Sequence, residues 1–402
     1  MRELILLSHV VNTSVNEGFI PAARKLGLRI ALLSDCAEQQ RHHFCQAGLT
    51  AYPDEIVDCD VFNPLAVIEA IAERPQRPAA VFSNSDHLQT STAMAADYFD
   101  LPGKDWRVTY RAKNKAQMRA YLQQQGIDSI WNATVSDATL LARVMAEVPF
   151  PCVVKPREGV ASEQVALARD ADELEQYCAS LWRRQPGQTL LLEDYLPGEL
   201  YTLETLGDGQ QLKVLGGFKV TLSAPPSFVE LQANWGTGLT EEQQAHVVEQ
   251  ITRFGIRFGA CHTEFVMTAE GPRLIEINYR SIGDRRDLLM QEALGIDYFG
   301  IVLRLHLGEP LKPMQLAARA AAIHYFTLPK EGRITNAPKA YRHDDARVSL
   351  RYEPLRKAGE HLALSHSNRD YLGVMSGIST DAALLNQVMD QHSASLNWEI
   401  QS

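Results

Sequence analysis

The sequence predicts an α/β fold: a doubly wound domain on a parallel sheet, then a small α+β lobe, then a larger lobe built on antiparallel sheet. Three features carry this prediction. Short β-rich runs alternate with helix-length segments from Glu3 to about Lys104, a strand–loop–strand–helix–strand block follows Phe150, and two later segments read as β-hairpins. Alternation requires right-handed crossovers and a parallel sheet, whereas β-rich runs joined by tight turns pair antiparallel.

The chain has 402 residues, 45% hydrophobic and 22% charged, which allows two or three domains and excludes disordered, collagen-like and coiled-coil classes. A net charge of −10 argues against broad nucleic-acid binding or attachment to an anionic membrane surface. No apolar run approaches the ~20 residues of a membrane span. The opening MRELILLSHVVNTS turns polar too soon for a secretory signal. Six cysteines without a CxxC pair or zinc spacing read as reduced thiols, hence a cytoplasmic protein.

In the first unit, residues 1–110, ELILLS, RIALLS, EIVD and AAVFSN are strands, separated by helices near Phe19–Leu26, Glu38–Ala47 and Pro64–Glu73. The first strand runs into SHVVNTSVNEG, which lacks the spaced glycines of a dinucleotide-binding turn. Residues 111–198 form the small lobe. It has a helix over AKNKAQMRAYLQQQGI closed by Gly126, a strand at Ile130–Val135, a helix at Ala138–Glu147, strands FPCVVKP and VALA around a polar loop, a helix at Ala171–Trp182 and strand TLLLEDYL. Residues 199–402 form the large lobe. Its first hairpin joins LYTLETL to KVLGGFKV through Asp208 and Gly209, a helix spans Glu241–Phe258, and HTEFVMTAEGPRLIEINYR is a second hairpin turning at Ala269–Pro272. Helices near Leu288–Ala293, Tyr298–Leu307 and Asp381–Gln391 and a strand AAIHYFTLP complete the pattern.

The second hairpin carries the chemistry. Strand alternation puts Glu276 and Asn278 on one face, and pairing across the turn brings Glu264 beside them. Three convergent oxygens, two of them anionic, suit a hard divalent cation such as magnesium; the alternative is that the two glutamates are solvent-facing carboxylates on an edge hairpin. Lys115 opens a helix, and Lys155 ends an apolar strand before a polar loop, settings from which an ammonium group neutralises phosphate. Backbone groups at Glu193–Leu196, before the Pro197–Gly198 turn, are placed to read an adenine edge.

In this order the motifs resemble those of the ATP-grasp superfamily of ligases from about Lys113 to Arg286, with residues 1–110 as its usual amino-terminal domain. The resemblance implies ATP and magnesium, with manganese as a substitute. It implies Lys115 and Lys155 on the phosphates, Gly159–Ser162 as the covering loop, and Glu193, Asp194, Tyr195 and Leu196 at the adenine. Glu264, Glu276 and Asn278 are then the metal ligands, and Arg280, with Lys155, serves the transferred phosphoryl group. Two departures stand out: the covering loop has only Gly159 between Pro156 and Glu163, leaving Ser162 to help hold phosphate, and Leu200 occupies the usual ribose-binding acid position, which leaves Glu199, one residue earlier, as the candidate for the ribose.

The implied reaction phosphorylates a small-molecule carboxylate to an acylphosphate that an amine attacks, releasing ADP and phosphate. Arg285 and Arg286 either clamp the substrate carboxylate or pair with Asp284 and Asp287; Lys219 and His262 are acceptor-site candidates or structural residues. Within the superfamily the layout is similar to amino acid ligases, including dipeptide synthetases and siderophore-assembly ligases of the vibrioferrin type. Biotin carboxylase-like or purine-biosynthesis-like enzymes and a non-catalytic ATP-binding regulator are the alternatives. A homodimer is in keeping with the family.

Overall fold

The computed structural model of the chain describes residues 2–46 and 52–402. Strands β1 (Glu3–Leu7), β2 (Arg29–Ser34), β3 (Glu55–Asp58) and β4 (Ala80–Phe82) form a parallel sheet in the order β3-β2-β1-β4. Every residue of β1 is buried because both sheet faces are covered: Leu4 and Leu6 join the core of Phe19 and Phe299, Ile5 and Leu7 that of Val67 and Ile71. The chain winds one way from β1 to β3 and the other way to β4. Strand order therefore reverses beside β1, and ligands of open α/β sheets bind outside the carboxyl ends at such a reversal.

Two helices fall near their expected bounds and a third expectation needs correction. The helix expected near Phe19–Leu26 spans Ile20–Lys25 and continues a π-helical turn at Ser14–Phe19. The next runs Ala37–Gln46, and its expected end at Ala47 lies outside the described residues. The helix expected through AKNKAQMRAYLQQQGI is two, Trp106–Lys113 and Lys115–Gln124. Asn114 (φ −88°, ψ 98°) ends the first and caps the second by accepting from the Gln117 N–H at 3.1 Å. An asparagine side chain competes for backbone N–H groups, which breaks a helix that apolar spacing alone would continue.

Strands β5 (Asn132–Val135), β6 (Cys152–Pro156), β7 (Ala166–Ala168) and β8 (Leu190–Asp194) make an antiparallel sheet, β5-β8-β6-β7, backed by the helices Ala138–Val144 and Ala171–Arg184. The large sheet begins with β9 (Glu199–Asp208), β10 (Leu212–Gly216), β11 (Phe218–Leu222), β12 (Glu230–Trp235), β13 (Phe258–Thr268) and β14 (Gly271–Asn278). KVLGGFKV is thus two strands, kinked at Gly216–Gly217, where a Cβ on Gly217 would collide with the Thr202 carbonyl. The helix expected to reach Phe258 stops at Phe254, capped by Gly255 at φ 113°, and Phe258 opens β13.

Beyond residue 319 come β15 (Ala320–Thr327), β16 (Gly332–Asn336), β17 (Tyr341–Asp344), β18 (Val348–Pro354), β19 (His361–Leu362), β20 (Tyr371–Ser379) and β21 (Glu399–Gln401). Four of them extend the large sheet, whose order is β14-β13-β9-β11-β12-β15-β20-β18-β17 with β10 on β9; the other three form a small sheet, β19-β16-β21. No helix among the described residues is long and apolar enough to cross a membrane.

Candidate functional site

The β13–β14 ribbon sets Glu264 directly opposite Glu276 and His262 opposite Asn278. Residues two apart share a face, so the four side chains form a square patch. Glu264 Oε1 accepts from Asn278 Nδ2 at 3.3 Å and lies 3.1 Å from His262 Nε2, while His262 Nδ1 lies 2.8 Å from Glu204 Oε1. Burial alone would lower the pKa of His262, yet Glu204 and Glu264 raise it to about 9; His262 in turn holds the Glu264 carboxyl below its usual range against burial. The side chains of Glu264 and Glu276 remain 19% and 20% exposed. Two carboxylates and an amide oxygen on one face of a rigid ribbon, opening into a cavity, are a donor set that fits magnesium.

That cavity, about 1050 Å³ of empty space, lies between the small sheet and the β9–β14 part of the large one. Lys115, Lys155, Gly159–Ser162, Glu193–Leu196, Glu264 and Glu276 all line it, and Val153, Leu222, Val266 and Ile275 supply apolar surface. Lys115 Nζ sits 2.6 Å from Glu276 Oε1 and donates to the Gly159 carbonyl at 2.8 Å. Burial would depress its pKa, but Glu276, Asp86 and Glu264 hold the ammonium above its ordinary range. Lys155 Nζ is 2.5 Å from Glu193 Oε2, and burial lowers its pKa despite that partner.

Glu193 also contributes its side chain to the wall of the cavity. Its side chain is buried and also pairs with Arg119 Nε at 2.5 Å; burial would raise its pKa, but Arg119 and Lys155 bring it down to about 2. Arg119 donates onward to the Leu274 carbonyl at 2.7 Å, tying the Lys115 helix and the small-lobe strand β8 to the ribbon. Sequence reasoning missed Arg119, although it stands four residues after Lys115, hence on the same helix face.

A second cavity, about 1930 Å³, adjoins the first. Val160, Ala161, Ser162, Glu230, Glu264 and Glu276 line both. The loops after β1 and β4 reach it, as does Arg280, so it occupies the strand-order reversal of the parallel sheet. Arg280 donates to Asn278 Oδ1 at 3.4 Å and approaches Asp86 at 3.7 Å; Asp86 is bound by Lys113 at 2.6 Å. Arg285 and Arg286 line the cavity too, but their partners differ from those considered. Arg285, in left-handed backbone at φ 64°, meets Glu353 at 2.8 Å, and buried Arg286 meets Glu230 at 2.6 Å and Asp284 only at 3.9 Å. Glu230 carried no sequence signal, since its partner is far along the chain. The structure does not bring Lys219 or Glu199 to either cavity: they pair with each other at 2.6 Å, with Tyr201 donating to Glu199 at 2.7 Å.

Residues 148–287 match the family model described as the ATP-grasp domain. An uncharacterized protein of Sinorhizobium fredii, y4rH, is 28% identical over 347 residues, covering 83% of this chain and 70% of that protein. Carnosine synthase 1 of Gallus gallus is 28% identical over 338 residues, 76% of this chain; the match spans only 35% of the synthase. Among solved structures, an L-amino acid ligase from Bacillus licheniformis superposes with a TM-score of 0.79 at 19% identity, covering 100% of this chain and 99% of that one, which shows a shared fold.

Proposed function

We propose that this chain, whose residues 148–287 form an ATP-grasp domain, is an ADP-forming ligase that activates a carboxylate with ATP and joins it to an amine, with an amino acid among its substrates. The observation that carries the reading is the continuity of two cavities across the ribbon face. Carboxylates and lysines suited to a triphosphate border one, arginines suited to a carboxylate border the other, and six residues belong to both. The named activities of the carnosine synthase and the L-amino acid ligase add support from proteins of similar sequence or fold.

In this reading the adenine lies against the backbone of Glu193–Leu196, and Lys115 and Lys155 neutralise phosphate oxygens, Lys155 being steadied by the Glu193–Arg119 pair. Ser162 and its neighbours cover the phosphates. Glu264, Glu276 and Asn278 would hold magnesium, for which manganese can substitute, and that ion supplies charge neutralisation across the phosphates when bound. His262 orients Glu264. Arg285 and Arg286 orient the carboxylate so that its oxygen attacks the γ-phosphorus in line as ADP departs. Arg280, between the ribbon and the second cavity, stabilises the charge that develops when the amine attacks the acylphosphate carbon and phosphate leaves.

The test is product analysis with ATP, magnesium and pooled amino acids and carboxylates. ADP and phosphate released only when a carboxylate and an amine are both present support ligation. AMP and pyrophosphate would reject the acylphosphate route.

A further inference from the structure

The second cavity is polar at its floor and apolar at its rim. Among the described residues eight large apolar side chains are exposed, and four of them, Val10, Val11, Phe62 and Leu355, line this one cavity. Exposed apolar side chains scattered singly are ordinary, whereas their gathering around a cleft marks a surface kept for a ligand. Three of the four come from the parallel-sheet unit and Leu355 from the segment after β18, so two separate regions of the chain supply the rim.

Phe62 is the best fixed of them. Its ring is 46% exposed yet held edge-on by His9 at 5.0 Å and tilted against His87 at 6.3 Å. Its backbone is anchored as well: the N–H donates to Asp60 Oδ1 at 3.2 Å and the carbonyl accepts from Ser91 Oγ at 3.3 Å. Burial and Lys113 depress the pKa of His87 to about 4, so this part of the wall is a neutral ring at physiological pH. A pre-placed aromatic ring with an open face loses little freedom on binding an apolar group.

We infer that the amino acid joined by this enzyme carries an apolar side chain, which the rim of Val10, Val11, Phe62 and Leu355 receives while its charged end faces the arginine-lined floor. The inference rests on the ligase reading and deepens it: the amino-terminal unit becomes the element that selects the substrate. A hydrophobic wall discriminates by the surface it removes from water, so charged side chains of equal size lose that gain and must also shed hydration.

The experiment measures ADP release with ATP, magnesium and a fixed pool of carboxylates and amines as co-substrates, across a panel that matches leucine, methionine and phenylalanine against glutamate, lysine and glutamine, for the full chain and for Phe62→Ser. The expected result is a kcat/KM at least about tenfold higher for the apolar set. In Phe62→Ser the KM for those amino acids should rise about tenfold, with a smaller change in kcat and unchanged affinity for ATP. Because Phe62 is exposed, retained ATP affinity also reports that the variant is folded. Turnover of charged amino acids at parity with apolar ones, or selectivity unaltered by Phe62→Ser, would overturn this inference and leave the ligase reading intact. Absence of ADP release with every amino acid would remove both.

Discussion

Glu193 is the residue at which stability and the proposed nucleotide site meet. It neutralises two buried cations, so Glu193→Gln would leave the buried side chains of Lys155 and Arg119 underpaired. A loss of about 3–5 kcal/mol is expected, read by denaturant unfolding. The sign of the pH effect follows from its depressed carboxyl. Relative to an ordinary value of 4.5, a folded value of about 2 means that the ion pair stabilises fully above pH 4.5 and is lost as pH falls through 2. Thermal unfolding temperature should therefore decline in that acid window for the native chain and decline less for Glu193→Gln; parallel curves would contradict the assignment. The residues picked from the sequence for phosphate and metal chemistry carry charge at recognisable places in strands and loops, and the structure gathers most of them around the two cavities. Arg119 and Glu230 were not legible in this way, because each acts through a partner brought near by tertiary folding: Glu193, 74 residues away, for the first, and Arg286 for the second.

At the scale of elements the expected strands appear, and the departures lie where a local side chain or glycine overrides hydrophobic period. Asn114 splits a helix, Gly255 stops another early, and Gly216–Gly217 divides a β run. Gly198 is the most constraining of the glycines near the site: at φ 156° it lies against the ribbon, where a Cβ would strike the Met267 carbonyl and Val266. Gly198→Ala should destabilise by about 1–3 kcal/mol through this overpacking. Because the residue lines the cavity proposed for the nucleotide, the substitution should also weaken ATP binding; an unchanged melting temperature would contradict the overpacking. The Gly159–Ser162 loop combines its single glycine with left-handed non-glycine residues, Ala161 at φ 57° and Ser162 at φ 53°, and is tied to the carboxy-terminal region by the Asn368 N–H donating to the Ala161 carbonyl at 3.1 Å. Bound nucleotide with magnesium should protect this loop from limited proteolysis relative to protein alone.

Across the whole molecule, the sequence is read as three units in order, but its pattern does not show how the carboxy-terminal strands pair. The strand signals of the carboxy-terminal region are short and scattered, and pairing between β12, β15 and β20 spans distances along the chain that local pattern does not encode. In the structure β15 lies inside the large sheet between β12 and β20, so that region is part of the core. A chain ending at residue 319 should be insoluble, since it bares the edge of β12; a soluble, cooperatively unfolding product would contradict this. The central claim remains the cage of ribbon oxygens opposed by two lysines. Its most direct measurement is calorimetric binding of ATP with magnesium and with EDTA, for the native chain and for Glu264→Gln combined with Glu276→Gln. Magnesium should tighten binding to the native chain by about 10-fold or more, and that gain should vanish in the double variant; an equal gain in both proteins would contradict the account.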